Sequence, residues 1–254
     1  MTAGPPRLLA ADSFRVRANP RTGVAEARGP DLHLDRFTRT ALAAWPGEDG
    51  SALERIRAFL DEAVARIAEY GEGFPRLELR GPDDPGGDPE LSCALRPLPE
   101  LRDTIELRTA PGVRLDRPER KGPSIARLSE LNRRLGAEAL LLDGDGRVIE
   151  GATTSIVWWR DGTDDSGRCV APPSSGTRNR VESVTEALLR EAASLSEGRP
   201  APEELARCET WAVNALHGIR LVTGIDGAPP PAPRADRLRR FREALDRRWR
   251  PLEK

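Results

Sequence analysis

Lysine is nearly absent from this chain. Of forty Lys and Arg residues only two are Lys, namely Lys121 and the terminal Lys254. Arg serves surface charge and carboxylate forks well, but it is effectively never deprotonated. A lone internal Lys in that background points to a place where a guanidinium will not serve. The chemistry it suggests is a nucleophilic amine that attacks a carbonyl to form a Schiff base, once its pKa has been lowered. The bland alternative is an accident of an Arg-for-Lys bias, so the surrounding residues must decide. They read Lys121-Gly122-Pro123, a helical stretch, and then Glu138-Ala-Leu-Leu-Leu-Asp143-Gly-Asp-Gly-Arg-Val-Ile-Glu150-Gly-Ala-Thr-Thr-Ser155.

Length and composition bound the possibilities. At 254 residues the chain can hold one large domain or two small ones around a real core. Hydrophobic content of 38% with 32% charged residues fits a soluble globular protein. Acidic and basic residues balance, 41 against 40, and aromatics make up only 4%, so neither a basic footprint nor base stacking for nucleic acid is expected. No apolar run of membrane-spanning length and no leader-like start stand out, which argues against a membrane partner. Cys93, Cys169 and Cys208 are widely spaced without a CxxC pair, which suggests a reducing, cytoplasmic setting. With only His33 and His217 in the chain, no metal centre is expected. Asp143-Gly-Asp-Gly146 could open a calcium loop, but Thr154 stands where the bidentate Glu belongs, so the stretch reads as a turn.

The elements that must position these residues follow from periodicity. Residues 12–30 read as a pair of short strands turning at Asn19-Pro-Arg-Thr-Gly23, and a helix opens at Asp31. Ser51 and Glu54 form a capping box before a long amphipathic helix with Leu53, Ile56, Phe59, Leu60, Val64 and Ile67 on its apolar face, stopped by Gly71. Segments 76–80, 91–96 and 104–109 alternate as strands. A helix is expected over 123–135, a hairpin over 139–150 around the Asp-Gly turn, and a strand over 153–159. A polar loop over 160–182 and a helix over 184–194 follow. Residues 211–214 and 219–222 read as strands. The final helix carries Leu238, Phe241, Leu245 and Trp249 on one face, docking on its own core. The balance of elements argues for two α/β units: an N-terminal one over 1–110, a Pro-, Gly- and Arg-rich linker over 111–120, and a C-terminal one over 121–254.

The segment from Lys121 to Ser155 resembles the class IV aminotransferases, the fold-type IV pyridoxal-phosphate enzymes that include branched-chain and D-amino-acid aminotransferases and aminodeoxychorismate lyase. The resemblance implies that Lys121 is the Schiff-base lysine and that Glu150 pairs with the pyridine nitrogen of pyridoxal 5'-phosphate. Chemistry agrees: a carboxylate there keeps the cofactor an electron sink, and an amine can both bond to the cofactor and move a proton, which Arg cannot. Three further stretches match family elements in order. His33-Leu-Asp-Arg36-Phe implies Arg36 as a phosphate fork, with His33 structural. Ser183-Val184-Thr185-Glu186 implies a phosphate-binding helix N-terminus, although Glu186 replaces the usual Arg and Ser183 with Glu186 also spells a capping box. Trp211-Ala-Val-Asn214-Ala215-Leu216-His217-Gly218-Ile219-Arg220 implies phosphate contacts from the turn at Ala215 and Leu216, and Ala215 stands where Ser is common.

The implied architecture is a small N-terminal α/β domain and a larger C-terminal pseudobarrel domain with the cofactor in the cleft between them, acting as a cytoplasmic homodimer. The implied reaction is transfer of an amino group between an amino acid and a 2-keto acid. Two alternatives stand beside it: an aminodeoxychorismate lyase releasing 4-aminobenzoate and pyruvate, and a non-catalytic paralogue. The latter is motivated by Ser155 in place of Asn, by Ala215, and by a Lys121–Glu150 spacing shorter than the family's. Arg80, Arg96, Arg178, Arg180 and Arg220 are all possible binders of the substrate carboxylate. Arg220 is preferred because it follows the phosphate-binding turn.

Overall fold

The computed structural model describes residues 7–46, 50–82, 87–160, 166–172, 180–193 and 195–252. In chain order come β1 (Leu8–Ser13), β2 (Val16–Ala18), β3 (Ala25–Arg28), α1 (Pro30–Ala44), α2 (Ala52–Tyr70), β4 (Arg76–Arg80), β5 (Glu90–Ala94) and β6 (Thr104–Ala110). Then follow α3 (Ile125–Leu135), β7 (Glu138–Leu142), β8 (Val148–Gly151), β9 (Ser155–Trp159), β10 (Arg168–Val170) and α4 (Val184–Ala192). The chain closes with β11 (Ser196–Gly198), α5 (Pro202–Leu205), β12 (Glu209–Asn214), β13 (Gly218–Ile225), α6 (Ala235–Asp246) and β14 (Trp249–Pro251).

Chain contacts divide these elements into two units: residues 1–100, 120–123 and 248–254 in one, 101–119 and 124–247 in the other. The sequence expectation drew its limits at 110 and 121. Three interactions account for the difference. β6 pairs in parallel with β13 and β7, which carries it into the second unit, and the Lys121 carbonyl accepts a hydrogen bond from Ala11 in β1. β14 pairs with β3, which returns the end of the chain to the first unit.

In the first unit, β1, β4 and β5 form an antiparallel sheet with α1 packed on β1 and α2 on β5. α1 starts cleanly because Gly29 takes the left-handed conformation and Pro30 supplies the fixed first helical residue. α2 buries Ile56, Leu60, Val64 and Ile67 of the expected stripe together with Ala52 and Ala63, leaves Leu53 and Phe59 half-buried, and ends at Gly71. The expected capping box does not form: Ser51 is helical and makes no capping hydrogen bond through its side chain. The β2–β3 hairpin turns on Asn19, whose Oδ1 accepts from the N–H groups of Arg21 and Thr22. Its third strand is β14, which corrects the expectation for Trp249. That residue lies beyond α6 and pairs with Arg28, its indole packed among the guanidinium groups of Arg15, Arg17 and Arg28.

The second unit is built on an eight-stranded mixed sheet, ordered β11-β10-β9-β12-β13-β6-β7-β8. It curls until β8, at one edge, meets β9 and β10, giving the half-barrel the sequence led us to expect. Leu107, Leu140, Val148, Ile156, Trp158, Ala212 and Val222 from six strands meet in one cluster, closed by Leu205 of α5. Alternation along β9 sends Trp159 the other way, where it stacks with Trp211 and with Phe241 of α6. There Arg237 is fully buried against Glu209 and over the Trp159 ring. β10 falls within the segment read as a polar loop, and β11 and α5 lie between the expected helix over 184–194 and the strand at 211, where no element was expected. Elements of three or four residues carry no periodicity; β10 is held by β9 and β11 by β10, with indoles packed on Gly167 and Gly198. Among the described residues, no helix is long and apolar enough to cross a membrane.

Candidate active site

Lys121 is fixed by its backbone before its side chain makes any contact. Its carbonyl accepts from Ala11 N–H at 2.7 Å. Gly122, at φ 143°, lies so close over β1 that a Cβ would stand 2.8 Å from Ala10 Cα. Only glycine allows both that backbone angle and that approach. The side chain then runs along β1, with Nζ 3.4 Å from Asp12 Oδ1 and 3.4 Å from the Ser13 carbonyl.

Asp12 is the centre of this cluster. Arg36 of α1 forks it, Nε to Oδ2 at 2.7 Å and Nη2 to Oδ1 at 2.8 Å, and His33 Nδ1 donates to Oδ1 at 3.0 Å. Exposures of 1%, 2% and 7% for Asp12, His33 and Arg36 place the whole group out of water. Burial by itself would raise Asp12, but Arg36, Lys121 and His33 together hold it well below the usual carboxylate range. Burial pushes His33 down to about 4, against the pull of Asp12, so its imidazole is neutral at neutral pH. Burial also lowers Lys121 to about 8; Asp12 opposes the shift and Arg36 adds to it. An appreciable part of the amine is therefore free base near neutrality, as a nucleophile requires.

The second unit holds the other expected residues. Glu150 ends the β7–β8 hairpin, half-buried, with its carboxyl raised to about 8. Burial is the main cause, reinforced by Glu186 and Glu138 and opposed by Arg180 and the Val181 amide. The turn after Glu150 is clamped by Glu138, which accepts from Thr153 N–H at 2.6 Å, from the hydroxyls of Thr153 and Thr154, and from Asn132. Val184 and Thr185 form the buried first turn of α4, where Ser183 Oγ accepts from the Glu186 amide. The second half of that capping box is not made. The Glu186 carboxylate turns instead to Arg180, Nη1 to Oε2 and Nη2 to Oε1, both at 2.8 Å. In the 214–218 turn, Asn214 Oδ1 takes the N–H groups of Leu216 and His217, which occupies the Leu216 amide. Arg220 shares a sheet face with its partner Ala212, on the concave side of the half-barrel. It is 8% exposed, and its Nε has no hydrogen-bond partner among the described residues.

So the structure joins Lys121 with Arg36, and Glu150 with the head of α4. Arg80 pairs with Glu78 on β4, whereas Arg96 donates to the Phe74 carbonyl and to Ser13 Oγ, one residue from Asp12. Arg178 lies outside the described residues. Two residues to which the sequence reading gave no role hold the site: Asp12 and Glu138. No local signal marks Asp12. Glu138 stood at a fixed distance before the Thr-Thr pair that it clamps.

The profile described as amino-transferase class IV matches residues 12–225. The chain belongs to the class IV aminotransferase family. Several solved structures of that fold align over nearly its whole length. A T.th. branched-chain amino acid aminotransferase, complexed with N-(5'-phosphopyridoxyl)-L-glutamate, aligns with a TM-score of 0.73 at 17% identity, over 96% of this chain and 89% of its own. A hypothetical aminotransferase from Mycobacterium tuberculosis aligns at 0.70 and 22% identity, over 93% and 87%. A fold IV transaminase from Curtobacterium pusillum gives 0.70 and 20%, over 94% and 84%. A search of curated proteins by sequence found no match.

As a class IV aminotransferase family member the chain is an enzyme, and the substrates of its class are amino acids and keto acids. Its departures from the family pattern now have surroundings. Arg180 supplies the countercharge that Glu186 needs, and Ser155 is a buried strand residue at the start of β9.

Proposed function

We propose that this enzyme uses pyridoxal 5'-phosphate, attached through Lys121, to transfer an amino group between an amino acid and a 2-keto acid. The observation that carries the reading is the half-buried Lys121 amine, set beside the buried Asp12 carboxylate on β1, with its pKa brought down to about 8. Glu150 fits the same cofactor, because a carboxyl raised to about 8 holds at neutral pH the proton that a pyridine nitrogen takes up. When bound, the cofactor supplies an electron sink for a substrate that has lost its α-proton. Lys121 is the group that moves that proton. Val184 and Thr185 would hold the phosphate at the N-terminus of α4, with the Ala215–Leu216 turn beside them. Arg36 would contribute its charge to the phosphate, since its Nε–Nη2 edge is committed to Asp12.

Arg220 is the residue we assign to the substrate carboxylate, on its burial and on the unmet donor at Nε. The bound ligands of the structural relatives support the class: a phosphopyridoxyl-glutamate in the T.th. enzyme, and α-ketoglutarate with pyridoxamine phosphate in the M. tuberculosis protein. A homodimer is part of this reading on the family resemblance alone, since Leu128, Leu131 and Leu135 of α3 pack on the chain's own Ala110, Ala139 and Leu141. Three free thiols, at Cys93, Cys169 and Cys208, support a cytoplasmic location.

The test is a pair of assays on protein loaded with pyridoxal phosphate. Accumulation of pyridoxamine phosphate from an amino acid donor, consumed on adding a keto acid, is the expected result. Pyruvate released from aminodeoxychorismate without any keto acid would make the chain the lyase instead. The absence of both products would contradict the transamination and the lyase readings alike.

A further inference from the structure

Asp12 is a carboxylate that the functional reading does not use. Its Oδ1 is a meeting point: His33 Nδ1 at 3.0 Å, Arg36 Nη2 at 2.8 Å and Lys121 Nζ at 3.4 Å. Arg36 already neutralises the carboxylate, and His33 is neutral, so the lysine is not needed to balance its charge. Two features suit the carboxylate to a different task. It cannot turn away, because Arg36 and His33 grip it from one face of α1 and the His33 ring packs on Phe14. The amine is held loosely by contrast, with contacts of 3.4 Å to Asp12 and 3.4 Å to Ser13 O, both longer than a short charge-assisted bond. A fixed acceptor with a loosely held amine is what a lysine needs if it must leave and return.

We propose that Asp12 is the positioning residue of Lys121, docking its amine on β1 whenever the lysine is not covalently engaged. This rests on the reading of Lys121 as the reactive amine. The charged and titratable groups that act on Lys121 are Asp12 from β1, His33 and Arg36 from α1, and Arg76 from β4. Among them the acid alone favours the ammonium form, whereas Arg36 and Arg76 oppose it. Removing the negative charge therefore lowers the pH at which Lys121 loses its proton.

The experiment is pH-dependent acetylation of cofactor-free protein with acetic anhydride, read by mass spectrometry on the Lys121 peptide. Lys121 and Lys254 are the chain's only lysines, so the signal is unambiguous. In Asp12→Asn the labelling midpoint should fall by about one pH unit from the wild-type value. Asp12→Glu keeps the charge and should hold the midpoint near wild type. An unmoved or raised midpoint in folded Asp12→Asn overturns the proposal. If that variant does not fold, because Arg36 is left buried without its partner, the double variant Asp12→Asn with Arg36→Gln removes both charges. A smaller downward shift is then expected, and no shift overturns the proposal. None of these readouts needs cofactor. Failure of wild-type protein to take up cofactor at Lys121 would count against the functional reading, and an unmoved midpoint against Asp12.

Discussion

Arg180 and Glu186 meet as a two-pronged ion pair at the head of α4, with both N···O distances 2.8 Å. Glu186 is 4% exposed and Arg180 is its main partner, so the pair converts an otherwise costly buried carboxylate into a neutral unit. Arg180→Gln leaves that carboxylate uncompensated and should cost about 3 kcal/mol in chemical denaturation. Glu186→Gln should cost less, because Arg180 keeps the Val170 carbonyl as acceptor. The double variant should recover much of the Arg180→Gln loss. Strictly additive losses would show that the two side chains are not coupled.

Glu150 and Lys121 give the cofactor-free enzyme a characteristic pH dependence. The native state keeps Glu150 protonated up to about 8, whereas the unfolded chain loses that proton near 4.5. The native state binds the extra proton in between, so this contribution to stability is complete at low pH and is lost as pH rises to about 8. Lys121 acts in the next window. The unfolded chain holds its proton to 10.5 and the native state only to about 8, so stability recovers across that range. A minimum near pH 8 is expected in denaturation midpoints. Glu150→Gln should flatten the acidic limb and leave the alkaline one; an unchanged acidic limb would contradict the assignment.

Gly122→Ala should separate Lys121 from β1. The added methyl meets backbone at Ala10 and Ala11, which cannot swing aside, and φ 143° is hostile to any side chain. A loss of at least about 1 kcal/mol and slower cofactor attachment are expected. Gly144→Ala is the control, since open space surrounds that glycine, and it should stay within about 0.5 kcal/mol of wild type.

Arg220→Gln should raise KM for the keto acid about tenfold or more, with kcat changed less, as expected when substrate binding is lost. Arg96 is the competitor, because it donates to Ser13 beside Asp12. A normal KM in Arg220→Gln together with a raised one in Arg96→Gln would move the role to Arg96.

What could be read from the sequence was local or periodic. The stripe of α2, the Asp143 turn and the Lys121-Gly122 pair all follow from residue types within a few positions. Asp143 Oδ1, for instance, accepts from the N–H groups of Asp145 and Arg147 and so closes its own hairpin. Trp249 was misplaced because four residues after Leu245 is a helical spacing, yet α6 has ended at Asp246 and β3 captures the tryptophan. Asp12 was invisible as a site residue for a related reason. On a strand it is one inward position among several, and only folding brings α1 and Lys121 to it. Arg180 was within reach: Glu186 in place of the family's Arg leaves a charge to balance, and an Arg six residues earlier is its mirror image.

The central claim is tested most directly on the lysine itself. Wild-type protein is incubated with pyridoxal phosphate, reduced with borohydride and digested, and the peptides are weighed. The account predicts a yellow protein that bleaches on reduction, with the cofactor mass fixed on Lys121 and nothing fixed in Lys121→Arg. A colourless protein, or cofactor mass retained in Lys121→Arg at the wild-type level, would contradict it.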